Sequence, residues 1–302
     1  MIGTISRDEQ NKEVLMDLEL ESRSLFQDAK VRFLKNKAAV FSLIVVAGIV
    51  LMVLFGQNLS VYSYEDIDWD NMLVGSSFET GHYFGTDDLG RDIFVRTLQG
   101  GKISLMVGIM GALVAVLIGV VYGATAGFIG GRVDNIMMRF VDILASFPFM
   151  FFVILLVTFF GRNIGFIFVA IGMVSWLDIA RIVRGQTLGL KEKEFIEAAH
   201  VSGTSNAKIV RKHIIPNVIG IVVVYATLLI PNMIIFESFL SFLGLGVQEP
   251  DTSWGALVNE GSKVMDIALW QLIYPGLFLV VTLFCFNFVG DGLRDALDPK
   301  DR

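Results

Sequence analysis

The chain has 302 residues, of which 54% are hydrophobic and 18% are charged, and its formal net charge at pH 7 is -6. Soluble domains rarely combine so many apolar residues with so little charge, so the composition excludes an ordinary soluble domain and gives no reason to expect a nucleic-acid partner. The single cysteine, Cys285, lies in an apolar run, which excludes a disulfide framework and a cysteine-based metal site.

Six apolar stretches are close to the length of about 20 residues that a helix needs to cross a bilayer. In chain order they are residues 38–56, 103–129, 140–160, 164–180, 218–236 and 270–290. The flanking and connecting segments are residues 1–37, 57–102, 181–217, 237–269 and 291–302. The first stretch follows a long charged segment and has no small-residue cleavage site, unlike a signal peptide. The pattern predicts an all-α polytopic membrane protein with six transmembrane helices.

The basic residues predict the orientation of these spans. If the N-terminus is cytoplasmic, most of the 24 Lys and Arg residues fall on the cytoplasmic side. The exceptions are Arg91, Arg96, Lys102, Arg162 and Lys263. Because cytoplasmic loops carry an excess of Lys and Arg, both termini and residues 181–217 are predicted to be cytoplasmic.

The large loop 57–102 is predicted to lie on the opposite side of the membrane and is rich in acids. It contains the stretch GHYFGTDDLGRDIFVR at residues 81–96, in which Gly85 and Gly90 indicate turns. Thr86, Asp87 and Asp88 are predicted to cap a short helix. Gly100 and Gly101 then predict a break before the second span.

Small residues recur at every fourth position of the second span. They are Gly111, Ala115, Gly119, Gly123 and Gly127. In lipid, small residues let helix backbones approach closely, so this span is predicted to pack against another helix. Pro231 and Pro275 lie in the fifth and sixth spans, where they are compatible either with ordinary kinks or with a bundle that lines a pathway.

Several charged residues border the predicted spans. Asp142 lies near Arg139, Asp178 precedes Arg181 by three residues, and Glu237 lies at the end of the fifth span. Charges at the bilayer centre are costly, but none of these positions is in mid-span. The pattern favours interfacial ion pairs and a helix-end polar residue over a proton relay or a substrate ligand.

The longest polar interruption in the second half of the chain is residues 194–216, EFIEAAHVSGTSNAKIVRKHIIP. A short helix is predicted from Glu194 to Ser202, ended by Gly203. One side of it is predicted to approach a partner; its members are Phe195, Ala198, Ala199 and Ser202. A second, basic helix is capped by Thr204 or Ser205 and is predicted to stop at Pro216.

Motifs that would give the chain a chemistry of its own are absent from the sequence. There is no G-x-x-x-x-G-K-[ST] phosphate loop, no H-E-x-x-H and no G-x-S-x-G. We therefore predict no catalytic residue, no metal site and no cofactor in this chain. The energy for transport would come from elsewhere, which makes residues 194–216 a predicted docking segment.

Several stretches of the sequence, including residues 194–216, resemble motifs of the ABC importer permeases of the dipeptide, oligopeptide and nickel branch. Glu197-Ala198-Ala199, then Gly203, then Ile215-Pro216 is similar to the family's EAA loop, with His213 and Ile215 departing from its commonest form. The branch is also resembled by FGTDDLGRD (84–92), WLDIARIVRG (176–185), FLSFLGLG (239–246), SWG (253–255) and GDGLRDALDP (290–299). The resemblance extends from about residue 20 to the end and is strongest to the oligopeptide members.

The resemblance implies a type I importer core made by residues 103–290, with the first span as an added flanking helix. It implies a second homologous permease subunit, two ATP-binding subunits that hold ATP and Mg, and a periplasmic binding protein that delivers peptide. The implied location is the bacterial inner membrane, among its lipids. The residues implied to couple to an ATPase are Glu194, Phe195, Glu197, Ala198, Ala199, Gly203, Ile215 and Pro216.

Other functions stay open at this point. A dipeptide or nickel-chelate importer would use the same motifs, because the binding protein largely selects the substrate in this family. A stand-alone secondary carrier is disfavoured because no ionisable group lies deep in a span and no repeat relates the two halves. A membrane enzyme is disfavoured by the absence of a catalytic motif.

Overall fold

The computed structural model describes residues 25–161 and 164–297. Within these two ranges every regular element is helical, and extended backbone pairs only in an isolated bridge between Thr86 and Asp92. The predicted all-α class is confirmed. Four stretches of the described chain are long and apolar enough to cross a membrane: Lys37–Leu59, Ile93–Ile129, Asn206–Phe242 and Trp270–Leu297.

The chain begins with two helices, α1 (Leu25–Lys35) and α2 (Lys37–Phe55), separated by one residue. That residue, Asn36, has an extended backbone, and its side-chain oxygen accepts a hydrogen bond of 3.1 Å from the Ala39 N–H. This is an N-cap, and it explains why α2 begins where it does. A short 3-10 turn, Gly56–Leu59, ends the first span.

Helix α3 (Ile93–Ile129) is longer than the predicted second span because it starts ten residues earlier. Asp92 caps it by accepting a 2.8 Å hydrogen bond from the Val95 N–H. The predicted break at Gly100 and Gly101 was wrong. A Cβ at Gly101 would lie 2.7 Å from the Trp254 ring, and one at Gly100 would lie 2.9 Å from the Ser253 backbone, so glycine here provides space for packing.

The predicted third span is divided into α4 (Gly131–Ser146) and α5 (Phe149–Phe160). Phe147 adopts an extended backbone because the following residue, Pro148, disfavours the helical conformation before it. Helix α6 (Ile164–Lys191) contains the predicted fourth span and continues eleven residues beyond it.

Residues 194–216, the coupling segment, contain α7 (Glu194–Val201), α8 (Asn206–Ile209) and a π turn, Val210–Ile214. The π turn leads directly into α9 (Ile215–Phe242), so the prediction that Pro216 ends a helix was wrong. Pro216 lies in the first turn of α9, where its missing N–H costs least, and the wider turn before it keeps the chain helical.

The chain ends with α10 (Trp254–Lys263) and α11 (Trp270–Leu297). Ser253 caps α10 by accepting a hydrogen bond of 3.1 Å from the Ala256 N–H. Both Pro231 and Pro275 lie inside continuous helices.

The stripe of small residues on α3 lies along α6. A Cβ at Gly119 would be 2.6 Å from Ile179, and one at Gly123 would be 2.3 Å from the Ala180 carbonyl oxygen. Gly127 similarly faces Arg184, Ala115 is fully buried, and Gly111 faces Met233 of α9. The close approach of two backbones is what small residues permit in lipid.

Gly123→Ala is expected to lower the melting temperature of the purified protein. The added Cβ meets a backbone carbonyl of α6, which can move only if the helices separate, and overpacking of this kind costs about 1–3 kcal/mol. Gly185→Ala is the matched control on α6, because a Cβ there has open space within 4 Å. Equal melting temperatures for the two variants would contradict this account of the stripe.

Candidate functional site

Helix α7 is held against the bundle by one buried side chain. Ile196 is 1% exposed and belongs to a core cluster with Phe128 of α3 and Ile179 of α6. The imidazole of His200 adds a second contact, since it stacks on the Phe128 ring with centroids 5.7 Å apart. A displacement of α7 therefore acts directly on α3 and α6.

The C-terminus of α7 is closed by Gly203, whose φ of +73° is in the left-handed region. Its N–H donates to the His200 carbonyl at 2.9 Å, and the Thr204 N–H donates to the Ala199 carbonyl at 3.1 Å. This pair of bonds is the Schellman motif, which commonly requires glycine at this position. Nothing lies within 4 Å of a Cβ built on Gly203, so its outer side is open.

The outward face of α7 is more apolar than a solvated helix needs to be. Val201 is 85% exposed and Phe195 is 42% exposed, while Glu194, Glu197 and Ala198 are also exposed. Exposed apolar groups rimmed by charges indicate a docking surface. We call this set the α7 face.

One predicted member of the docking side differs from the others. Ala199 is half-buried and packs on the same cluster as Ile196, whereas Ala198 and Ser202 are exposed. Of the two neighbouring alanines, only Ala198 points away from the protein. Val201, which was not predicted, takes the most exposed position.

The rest of the coupling segment is tied to the same cluster. Ile209 and Ile214 are fully buried beside Ile196, and Ile215 packs against them from the start of α9. Pro216, which follows, is exposed. The segment thus links α7 rigidly to the fifth span.

The predicted ion pairs near this end of the bundle are partly rearranged. Arg181 contacts Asp142 at 3.1 Å and Asp178 at 3.4 Å, and all three side chains are exposed. Among the ion pairs of the described residues, none involves Arg139. A pair that was not predicted joins α4 to α6: Asp134 accepts two hydrogen bonds, of 2.5 and 2.6 Å, from Arg184.

At the opposite end of α3, residues 57–92 and 243–269 form what we call the cap. Its centre is Asp87, buried, which accepts hydrogen bonds from Arg91 at 2.7 Å and from Arg96. Arg91 also contacts Glu249 at 2.9 Å, and Arg96 contacts Glu260 at 3.1 Å. The prediction that Thr86, Asp87 and Asp88 cap a helix was wrong. Asp92 is the cap, and the Asp87 carboxylate joins two arginines instead.

A buried histidine closes the cap onto the start of α3. The His82 ring nitrogens lie 2.8 Å from the Asp92 carboxylate and 3.3 Å from that of Asp68, and Tyr62 stacks on the ring. Desolvation raises the pKa of the Asp92 carboxyl. Hydrogen bonds from Asn71 and then His82 lower the pKa of Asp68. The loop is thereby fixed to the N-cap of α3.

Glu237 lies in a fully buried polar cluster inside α9, which continues to Phe242, and not at the helix end as predicted. Its carboxylate accepts hydrogen bonds from Ser241 at 2.6 Å and Ser104 at 3.2 Å. The Ser104 hydroxyl in turn accepts a 3.1 Å hydrogen bond from the backbone N–H of Trp254. The cluster joins α3, α9 and α10 beneath the cap.

Across the described part of the chain, no three His, Cys, Asp or Glu side chains are grouped so as to hold a metal ion. The geometry provides an exposed, partly apolar helix face at one end, the cap at the other, and long helices between them.

Comparisons with known proteins agree with this organisation. Residues 115–302 match a family model described as binding-protein-dependent transport system inner membrane component, and residues 24–75 match one described as the N-terminal TM domain of oligopeptide transport permease C.

Individual relatives match over almost the whole chain. The oligopeptide transport system permease protein OppC of Escherichia coli strain K12 is 64% identical over 94% of this chain and 94% of its own length. The protein of the same name from Haemophilus influenzae is 59% identical over 97% and 94%. The dipeptide transport system permease protein DppC of Bacillus subtilis is 43% identical over 93% and 88%.

Proposed function

The chain belongs to the family of binding-protein-dependent transport system inner membrane components, and we propose that it is the permease subunit of an ATP-driven oligopeptide importer. It is a multi-pass, non-catalytic component of the inner membrane. Both termini and the coupling segment are assigned to the cytoplasm, which is supported by the basic residues at that end of the bundle.

The α7 face is the observation that carries the proposal. An exposed valine and phenylalanine, rimmed by Glu194 and Glu197, stand on a helix that is itself anchored through Ile196. Such a face suits insertion into a cleft of a cytosolic ATP-binding subunit. Because the anchor is buried in the bundle, work done on α7 is transmitted to the spans.

Helix α3 provides the route from the docking end to the cap. Its 37 residues correspond to a length of about 55 Å. Phe128, near its C-terminus, contacts α7, and Arg96, near its N-terminus, binds the cap. Closure of the ATPases would shift α7 and move α3 and the cap together, which would open the path to the other side.

The partners follow from this assignment. We propose a second, homologous permease to complete the pathway, two ATP-binding subunits that hold ATP and Mg, and a periplasmic protein that delivers peptide to the cap side. Support comes from the family description, which names binding-protein-dependent transport.

A dipeptide importer is the second candidate, because a relative named as a dipeptide permease is 43% identical. The higher identity to oligopeptide permeases, 64% and 59%, favours oligopeptides.

Reconstitution tests the proposal. The chain would be placed in vesicles with its partner subunits and binding protein, and uptake of labelled peptides of two to six residues would be measured with and without ATP. We expect uptake that requires ATP and extends to peptides longer than two residues. Peptide transport by the chain alone, without ATP, would contradict it.

Gly203→Asp and Glu197→Lys are each expected to abolish ATP-driven peptide uptake while leaving the protein in the membrane. A side chain at Gly203 strains its left-handed backbone by about 1–2 kcal/mol and projects into open space on the docking side. Glu197→Lys reverses an exposed charge of the α7 face. Normal uptake by both variants would remove α7 from the coupling route.

A further inference from the structure

An open cleft of about 270 Å³ lies between α1 and the C-terminal end of α11. Its lining residues are Arg32, Lys35, Asn36, Gly292, Asp295 and Ala296. We call it the headgroup cleft. Side-chain packing fixes the two walls of the cleft relative to each other, because Phe33 of α1 is buried against Val289 and Ala296 of α11 and holds the two helices together.

The surface around the headgroup cleft is basic. Lys30, Lys35 and Lys37 are exposed, and none of them forms an ion pair with an acid in the described part of the chain. The only acid within α1 itself is Asp28. These three lysines therefore carry positive charge that no acid of the described residues pairs with.

Apolar side chains stand beside these lysines. Val31 is 43% exposed and Leu34 is 58% exposed, and they lie on the side of α1 that does not pack on α11. Since the first span begins at Lys37, immediately after α1, this helix lies at the level where the bilayer meets water. A helix with exposed aliphatic groups next to lysines suits the headgroup–acyl boundary.

We propose that the headgroup cleft binds an anionic phospholipid, with its phosphodiester held by Lys35 and Arg32 and its acyl chains beside Val31 and Leu34. Basic clefts beside transmembrane helices on the cytoplasmic side accommodate anionic headgroups in this way. A free phosphate would use only the charges, whereas a lipid also covers the two aliphatic side chains. The site is independent of the transported substrate.

Native mass spectrometry of the full chain, titrated with phosphatidylglycerol or phosphatidylethanolamine, tests the proposal. The double variant Arg32→Gln/Lys35→Gln should bind phosphatidylglycerol about thirtyfold more weakly, given the usual contribution of a basic residue near an anionic surface. Arg132→Gln/Arg139→Gln is the control, because it removes two exposed charges from α4. Equal weakening in the control would overturn the cleft as the site.

Asp295→Asn distinguishes the two headgroups. Asp295 lines the cleft, so its removal should strengthen phosphatidylglycerol binding by taking away a like charge. Weaker binding in this variant, with a preference for phosphatidylethanolamine, would mean that Asp295 holds an ammonium group, and would overturn the anionic assignment.

Two further measurements separate the lipid from other occupants. Leu34→Asn, at an exposed position, should weaken lipid binding without unfolding the chain, and inorganic phosphate should not compete with the lipid. Competition by phosphate, or unchanged binding by Leu34→Asn, would overturn the lipid as ligand. Removal of residues 1–22, whose acids outnumber their bases, should leave the affinity unchanged; a large gain would show that this segment occupies the cleft instead.

Discussion

Val201→Glu is expected to reduce ATP-driven peptide uptake at least tenfold and to prevent co-purification of the ATP-binding subunits. Val201 is 85% exposed at the end of α7, so the substitution removes almost no internal packing and should not unfold the chain. In a docked complex, however, the same side chain would be buried, and a carboxylate there would be desolvated without a partner. Burying a carboxylate without a partner in an interface costs about 2 kcal/mol or more, which is a change of about thirtyfold in affinity.

The matched control is Val61→Glu, which makes the same substitution at a valine that is 89% exposed in the cap. It should leave association with the ATP-binding subunits unchanged, measured by affinity co-purification of each variant at equal expression. Retained ATPases with Val201→Glu, or an equal loss with both variants, would mean that the α7 face is not the docking surface.

The helices of this protein could be predicted from the sequence where one local signal decides. Apolar runs placed α2 and α11 to within a few residues at their N-termini, and Pro148 marks the break that an apolar count alone did not detect. Gly100 and Gly101 were misread because a glycine pair in a polar loop and a glycine pair under a tryptophan look identical in sequence. Only the position of Trp254, more than 150 residues away, decides between them.

Part of the coupling segment was predictable because a local sequence signal decides its structure. Gly203 predicts a helix end because glycine readily adopts the left-handed backbone conformation, which is a local property. The orientation of α7 is not a local property, because it depends on where the buried residues that Ile196 packs against lie in the bundle. The periodicity placed Ala198 and Ala199 together on one side, but the bundle buries part of Ala199 and exposes Val201 instead.

The ion pairs of the cap are the part of the structure that a single sequence predicts least well. Asp87, Arg91 and Arg96 are close in sequence, but their partners Glu249 and Glu260 come from a segment about 160 residues later. In sequence the motif looked like a helix cap in a solvated loop. In the structure Asp87, Arg91 and Arg96 are buried, so removing any one of them would leave a buried charge short of a partner.

Asp87→Asn is therefore expected to destabilise the protein more than any other single substitution that replaces a charged residue of the cap by an uncharged one. It removes the charge that faces two arginines, one of which, Arg96, is 1% exposed and cannot reach water. Breaking a buried pair by removing one partner costs about 3–5 kcal/mol. Arg91 and Arg96 would keep only their contacts with Glu249 and Glu260, whose carboxylates are more exposed than that of Asp87. The expected result is a strongly reduced yield of folded protein and a lower melting temperature in detergent.

The neighbouring carboxylate is the control: Asp88 is exposed, so Asp88→Asn should leave yield and melting temperature unchanged. The double variant Asp87→Asn/Arg96→Gln tests the cause. If an uncompensated arginine is responsible, removing it as well should recover part of the lost stability, so that the double variant is more stable than the sum of the single effects predicts. Strictly additive losses would mean that Asp87 acts through its backbone contacts to Leu89 and Arg91. The charge network would then contribute little to holding the cap on α3.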